Sequence, residues 1–253
     1  MLQRDEEGPR ASEDVPYWKI VGKLNFLEKS TRPDISFAVH QCARFSSDPK
    51  QSHVAALRRI GRYLQGTKDK GLIINPNKDQ KMEVWTDADF AGNYLKENPH
   101  IDVDSMTSKS QSGYVITFAG TPLVWSLKMQ TETALSTTEA EYIAMSSALR
   151  EAIHLIRLIE EAESMGIPPS SGTPTVKCKV FEDNAGAVAL ANVPKIRPRT
   201  KHINNRYHHF RSYVARGIIS VQYVSTEDQI ADILTKSLSP ELFEKFRFML
   251  MGW

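Results

Sequence analysis

The sequence predicts an α/β fold: a mixed five-stranded sheet of three antiparallel and two parallel strands, flanked by helices and preceded by a small helical unit. One observation is a period-two strand pattern at residues 82–87 that is followed by a hairpin pattern. A second is that two later strand patterns each run into a helical pattern, which is typical of parallel strands. The third is that residues 15–66 show helical periodicity.

Size and composition fit this architecture. A chain of 253 residues can form one good-sized domain and a smaller companion. With 41% hydrophobic and 25% charged residues it resembles soluble globular proteins. No apolar run approaches the roughly 18 residues of a membrane span, and the N-terminus lacks a signal-peptide core. We therefore expect an intracellular, cytoplasmic protein with no membrane partner.

The two cysteines, Cys42 and Cys178, lie far apart in sequence and show no metal-ligand spacing. A disulfide framework is therefore not expected, which favours a reducing compartment.

The N-terminal part is predicted to be helical. Residues 1–14 are charged and poor in large apolar side chains, so no fixed structure is expected there. Residues 15–76 should form three helices, the second capped by Asp34 and the third by Ser52, and then a short strand at 71–74. The third helix turns three arginines outward, which could hold phosphates, although a solvated basic face is the commoner explanation: Arg58, Arg59 and Arg62.

The sheet domain is predicted over residues 81–253. Its first strand ends near Asp87, residues 93–111 form a surface loop, and residues 113–126 form a hairpin. A long helix then starts at Ser136, which has Glu139 at the capping-box spacing. Glu141 lies at the edge of the apolar stripe of this helix, so we expect it to point toward the sheet.

The remaining elements alternate between strands and helices. A strand at 176–183 leads into a helix, so that Asp183 lies at the carboxyl end of a strand, where open α/β sheets bind ligands. A strand at 218–224 precedes a helix with Asp232 in its first turns, and Ser239-Pro240 begins a terminal helix.

Four acids from distant parts of the chain are expected to meet at one edge of this sheet: Asp87, Glu141, Asp183 and Asp232. Carboxylates gathered in one place repel each other without cations, and such a cluster suits two magnesium ions, with manganese as a substitute. Such an ion pair can activate water for phosphodiester hydrolysis. The alternative is that each acid is merely a surface charge.

Six motifs follow one another along the chain, at residues 86–92, 109–114, 135–142, 182–184, 199–203 and 231–236. Together they resemble the C-terminal part of copia-type retrotransposon polyproteins, which ends in a ribonuclease H domain. Two upstream segments, residues 31–35 and 62–67, resemble the part that links the reverse transcriptase to that domain.

The resemblance implies a ribonuclease H-like fold for residues 81–253 and a reverse transcriptase connection segment for residues 15–76. It also implies an RNA–DNA hybrid substrate whose RNA strand is cut by metal-activated water, with the four acids as catalytic metal ligands. The polymerase palm and fingers would come from a longer polyprotein, no small-molecule cofactor is implied, and the location would be the cytoplasm or virus-like particles.

A basic segment with interleaved aromatic residues, 195–216, would then lie against the hybrid, and a solvated basic surface is its alternative. Zinc binding by the histidines there is not favoured, because no cysteine pair or helical histidine spacing accompanies them. The residues expected to contact nucleic acid are Arg197, Arg199, Lys201, His202, Arg206, His208 and Arg211.

The sequence departs from the family pattern in two places. The Tyr-x-Asp-Asp motif of a polymerase palm does not occur in it, so polymerisation by this chain alone is not expected. Residues 225–230 contain no histidine, whereas many cellular ribonucleases H carry one before their last aspartate. The competing hypothesis is therefore a non-catalytic, nucleic-acid-binding remnant; a strand transferase is less favoured because no integrase-like zinc segment occurs.

Overall fold

The computed structural model describes residues 2–77, 81–92, 108–167, 178–193 and 205–253. By their contacts these residues divide into two units, Met1–Ile73 with Lys236–Trp253, and Ile74–Thr235. We call them the helical unit and the sheet unit. The sequence-based division placed residues 236–253 in the sheet domain, whereas their contacts assign them to the helical unit.

Three helices begin the helical unit: α1 (Tyr17–Ser30), α2 (Ser36–Ala43) and α3 (Gln51–Gly66). Each turns an apolar stripe toward a shared core, as predicted from their periodicity. The outer face of α3 is basic, and all three of its predicted outward arginines are exposed. The buried core residues include Val21, Leu24, Val39, Leu57 and Ile60.

The caps predicted for α2 and α3 are wrong. Asp34 lies in a 3₁₀ turn (Pro33–Ile35), where its carboxylate accepts hydrogen bonds from Arg32 at 2.9 and 2.8 Å and from the Tyr63 hydroxyl at 2.7 Å. Helix α3 begins before Ser52, whose hydroxyl instead donates to Asp5 at 2.6 Å. Asp34 instead pairs with the buried charge of Arg32. Ser52 instead bonds to a residue that lies 47 positions away in sequence.

The described residues of the N-terminal segment, 2–14, also differ from the expected lack of structure. Ala11 N donates to Pro49 O at 2.9 Å, and Gln51 N donates to Pro9 O at 3.0 Å. Arg10 pairs with Lys50 in an isolated antiparallel bridge. Because these are backbone interactions, they need no large apolar side chains, and composition therefore did not reveal them.

The sheet unit contains β1 (Met82–Asp89), β2 (Gln111–Phe118), β3 (Thr121–Met129), β4 (Cys178–Glu182) and β5 (Ile219–Tyr223). Their order across the sheet is β3-β2-β1-β4-β5. Strands β1, β2 and β3 pair antiparallel, while β4 pairs parallel with both β1 and β5. This is the predicted mixed sheet of three antiparallel and two parallel strands.

The hairpin between β2 and β3 turns at Ala119 and Gly120, which both have positive φ, 53° and 73°. Successive left-handed residues match the twist of a tight hairpin. The predicted surface loop at 93–111 falls mostly outside the described residues, and its last residue begins β2.

The sheet unit also contains α4 (Thr137–Ser164), α5 (Ala185–Asn192), α6 (Arg211–Ala215) and α7 (Asp232–Thr235), and helix α4 packs on β1 and β2. The predicted cap of α4 is confirmed, since Ser136 Oγ accepts from Glu139 N at 3.1 Å. The helix predicted around Asp232 is shorter than expected: Thr226–Asp228 form a separate 3₁₀ turn. Core residues between helix and sheet include Val84, Ile116, Tyr142, Leu149 and Val180.

Helix α8 (Pro240–Met251) starts at its predicted cap, where Ser239 Oγ accepts from Leu242 N at 3.3 Å. It belongs to the helical unit, where Met251 O accepts from Ile73 N at 3.1 Å. Residues 71–74 form no strand, so that prediction is wrong. Among the described helices, none combines the length and apolarity that crossing a membrane requires.

Candidate metal centre

Three of the four predicted acids lie together at one edge of the sheet. Asp87 lies near the end of β1, Glu141 in the first turns of α4, and Asp183 directly after β4. A carboxylate oxygen of each lies within 4.8 Å of one from both others. Asp87 and Glu141 are buried and Asp183 is half-buried.

The topology explains why these acids meet. Strands β1 and β4 pair in parallel, with Trp85 opposite Phe181, so their carboxyl ends lie at the same edge. Helix α4 packs across β1 and β2, which places its first turns beside that edge. The convergence therefore follows from strand order, as the sequence predicted from the order of its elements.

The cluster fits a hard divalent cation. Unit negative charges at such separations repel by about 3 kcal/mol per pair at an effective dielectric constant near 20. Carboxylate oxygens are the ligands that magnesium prefers, and a bound cation would offset this repulsion. Buried like charges in one place are therefore consistent with a metal site.

Asp232 is not in this group of three. It is the first residue of α7 and is buried, with 2% of its surface exposed. The same short helix touches the site through Thr235, whose hydroxyl donates to Asp87 Oδ2. The sequence could not set the distance of Asp232 from the other acids, because that distance depends on how α7 docks.

The docking of α7 depends on a glycine in β2. Gly113 lies opposite Asp87 in the sheet, and a Cβ atom added to it would come within 2.5 Å of Thr235 Cγ2 and 3.3 Å of Leu234 Cβ. A side chain at this position would therefore displace the helix that holds Asp87 through Thr235.

Glu182, one residue before Asp183, is a site residue that sequence reasoning missed. It is fully buried; its Oε2 accepts from Thr86 Oγ1 at 2.8 Å and its Oε1 from Asn184 N at 3.1 Å. Burial raises the pKa of its carboxyl above the ordinary value, and the two hydrogen bonds lower that pKa only in part. The negative charges of Asp87 and Asp183 raise it further.

A signal for Glu182 was present in the sequence. Alternation in β4 places it on the same face as the buried Cys178 and Val180. An acid that continues a buried strand face must have a specific role in folding or function.

Hydroxyl groups also hold Asp183. Thr226, in the 3₁₀ turn after β5, donates from Oγ1 to Asp183 Oδ2 at 2.8 Å. The two residues lie 43 positions apart in sequence. Asp87 and Asp183 thus each accept a hydrogen bond from a threonine of the C-terminal part of the sheet unit.

Most of the predicted nucleic-acid contacts lie outside the described residues: Arg197, Arg199, Lys201 and His202, together with the side chain of Arg206. His208 and Arg211 are half-buried. The Nδ1 atom of His208 lies 2.8 Å from the hydroxyl of Tyr142, the residue after Glu141. The end of the basic segment therefore contacts α4 at the residue that follows Glu141.

Comparison with known proteins gives the family. No protein-family model matches the chain. It is 36% identical, over 94% of its length, to the retrovirus-related Pol polyprotein from transposon RE1 of Arabidopsis thaliana. It is 37% identical, over 95% of its length, to that from transposon TNT 1-94 of Nicotiana tabacum. The chain belongs to the Pol polyproteins of copia-type retrotransposons.

The chain spans only 15% and 16% of the length of these two Pol polyproteins. It is also 40% identical over 142 residues to the secreted RxLR effector protein 161 of Plasmopara viticola, a match to 56% of this chain and 92% of that protein.

Two solved structures show a weaker likeness to this Pol segment. The N-terminal RNase H domain of rv2228c from Mycobacterium tuberculosis is 15% identical with a TM-score of 0.41, covering 66% of this chain and 96% of that one. The foamy viral protease–reverse transcriptase in complex with dsDNA is 16% identical with a TM-score of 0.37, covering 87% and 41%.

Proposed function

We propose that this chain is the ribonuclease H part of a copia-type Pol polyprotein, a metal-dependent endonuclease that cleaves the RNA strand of RNA–DNA hybrids. The observation that carries the proposal is the meeting of Asp87, Glu141 and Asp183 within 4.8 Å at the sheet edge. Membership of the Pol family supports it, since the motifs that carry these acids are those of the family resemblance.

Asp87, Glu141 and Asp183 would hold magnesium through their carboxylate oxygens, and Asp232 is the fourth ligand that the resemblance implies. When bound, magnesium supplies positive charge that lowers the pKa of water and offsets charge developing on a phosphodiester. Thr235 and Thr226 orient the carboxylates of Asp87 and Asp183 by donating hydrogen bonds to them. Two ions are proposed, with manganese able to replace magnesium.

The proposed partners follow from the same assignment. The hybrid would lie against the basic segment, and the palm and fingers of the polymerase would be supplied by the rest of the polyprotein. The proposed location is the cytoplasm, including virus-like particles.

The test is cleavage of an end-labelled RNA–DNA hybrid by the purified chain, with magnesium and with a chelator. We expect cleavage of the RNA strand only, and only with magnesium. Asp87→Asn and Asp183→Asn should each reduce the rate on the order of 10³-fold, because several kcal/mol of metal-dependent stabilisation are lost. Asp48→Asn, in the helical unit, is the matched control and should cleave normally.

The alternative function, a non-catalytic nucleic-acid-binding remnant, gives a different result. Hybrid binding that is unchanged by magnesium, without cleavage at any protein concentration, would replace the nuclease proposal with that one.

A further inference from the structure

A network of four hydrogen-bonded residues, joined in part through the backbone N of Asn184, lies beside the acid cluster. Thr86 Oγ1 donates to Glu182 Oε2 at 2.8 Å, and Asn184 N donates to Glu182 Oε1 at 3.1 Å. The side chain of Asn184 continues it, accepting from Thr138 Oγ1 at 3.3 Å. The network therefore links β1, the end of β4, the start of α5 and the first turn of α4.

Every member lies close in sequence to one of the clustered acids. Thr86 precedes Asp87, and Glu182 and Asn184 flank Asp183. Thr138 lies one helical turn before Glu141 on α4. The Thr86–Glu182 and Thr138–Asn184 hydrogen bonds each join two backbone segments that carry different acids, while the Asn184 N–Glu182 bond lies within the segment around Asp183.

The central residue is Glu182, a buried acid. Glu182 is fully buried, and both of its oxygens are engaged by these partners. Asn184 is also the N-cap of α5, accepting from Ala187 N at 3.0 Å. The carboxylate of Glu182 is therefore directed at two backbone segments.

We propose that Glu182 is a positioning residue: it holds β1 and the start of α5 at the separation that lets Asp87, Glu141 and Asp183 share a divalent cation. The inference rests on the proposed metal site. Partners behind metal ligands commonly matter for affinity by 10- to 100-fold because they fix the direction of the ligands. Glu182 acts through the acids and has no contact with substrate.

The proposal depends on hydrogen-bond acceptors and donors, so two substitutions separate it from a role of charge. Glu182→Leu removes both acceptors. Glu182→Gln has nearly the same shape, and its amide can accept from Asn184 N while donating to Thr86 Oγ1, because a hydroxyl can rotate to accept. Gln should therefore rescue a positioning role, whereas it cannot rescue a role that requires negative charge.

The experiment measures Mn²⁺ affinity of the full chain by electron paramagnetic resonance, with circular dichroism to verify folding. We expect Glu182→Leu to weaken binding on the order of 10- to 100-fold. Glu182→Gln should stay within about threefold of the parent chain, and Thr138→Val should lose about threefold, the worth of one ordinary hydrogen bond.

The matched control is Glu28→Leu in the helical unit. Glu28 is also buried, with 2% exposed, and also accepts from a hydroxyl, Ser36 Oγ, at 2.6 Å. Its replacement should lower the melting temperature and leave Mn²⁺ affinity unchanged.

Two results would overturn the proposal: unchanged affinity in Glu182→Leu, or equal weakening in Leu and Gln, which would assign the effect to charge. If Asp87→Asn binds Mn²⁺ as well as the parent chain, the proposed metal site itself fails. NMR of the metal-free chain then tests positioning separately. Changes in the amide chemical shifts of Asp87 and Glu141 in Glu182→Leu that are absent in Glu182→Gln support positioning. No change in Glu182→Leu refutes it.

Discussion

In the helical unit the buried carboxylate of Asp34 lies against the Arg32 guanidinium at 2.8 Å, whereas at the edge of the sheet three carboxylates gather within 4.8 Å. The first arrangement neutralises a charge inside the fold, with Tyr63 as a further donor. The second concentrates charge of one sign, which opposes folding. The difference indicates that Asp34 serves stability, and it supports the proposal that the sheet-edge acids bind a cation.

The same difference appears in the motifs. The segment at 31–35 that resembles the family contains both members of the Arg32–Asp34 pair, and the segment at 62–67 contributes Tyr63 and Thr67, which also contact it. The sheet-unit motifs instead bring acids to the site. Motifs of similar specificity thus have structural roles in one unit and candidate chemical roles in the other.

The largest stability effect is expected from breaking the paired arrangement. Asp34→Ala leaves the Arg32 guanidinium, 5% exposed, without its carboxylate, so the free energy of unfolding should fall by about 3–5 kcal/mol. Asp87→Asn, which removes one of several like charges, should not destabilise the metal-free protein. Urea unfolding with chelator present measures both; equal losses would end the contrast between the two units.

The second prediction concerns the cation. Magnesium at about 100-fold above its Kd should stabilise the sheet unit by about 2.7 kcal/mol, or roughly 5–10 °C in melting temperature. Asp183→Asn should remove most of this shift, and Asp34→Ala should leave it intact. Thermal melts with and without magnesium test this, and a shift that survives in Asp183→Asn would contradict it.

Replacing one glycine in each unit should change the free energy of unfolding in opposite directions, by smaller amounts. Gly113→Ala would press on Thr235 and displace α7, which should cost about 1–3 kcal/mol and slow hybrid cleavage. Gly61→Ala, within α3 and with nothing within 4 Å of its added Cβ, should instead stabilise by about 0.5–1 kcal/mol. Opposite signs in chemical denaturation, with cleavage affected only by the first, are the expected outcome.

The smallest effect comes from the cysteines, one in each unit. Burial raises the pKa of Cys42 to about 11 and that of Cys178 to about 12, from the ordinary 9.0. Since the thiolate forms more readily in the unfolded chain, their stabilisation is complete below about pH 9 and is lost as pH rises through 11–12. By about pH 10 the free energy of unfolding should have fallen by about 1 kcal/mol for each thiol.

Paired unfolding curves near pH 8 and pH 10 measure this loss, which Cys42→Ala with Cys178→Ala should reduce. The native thiols should also resist a thiol reagent near pH 8 until the protein unfolds. Rapid reaction of either thiol in the folded protein would contradict the burial on which the prediction rests.

Much of the fold was readable from local patterns. Alternation found β1, the hairpin and β4, and the Ser136 and Ser239 caps located two helices, because these signals act between neighbouring residues. Asp34, Ser52 and residues 71–74 were misread for one reason. Each has partners that are distant in sequence or are buried charges, and these contacts replace the cap or strand that the neighbouring residues predict.

By itself the sequence determined the order of the elements, and with it the meeting of Asp87, Glu141 and Asp183, since parallel pairing of β1 and β4 forces their ends to one edge. Only the tertiary structure decided that Asp232 lies outside this group, that Gly113 admits α7, and that Glu182 joins two strands. The order of the elements along the chain follows from their periodicity, whereas these distances depend on how separate elements pack.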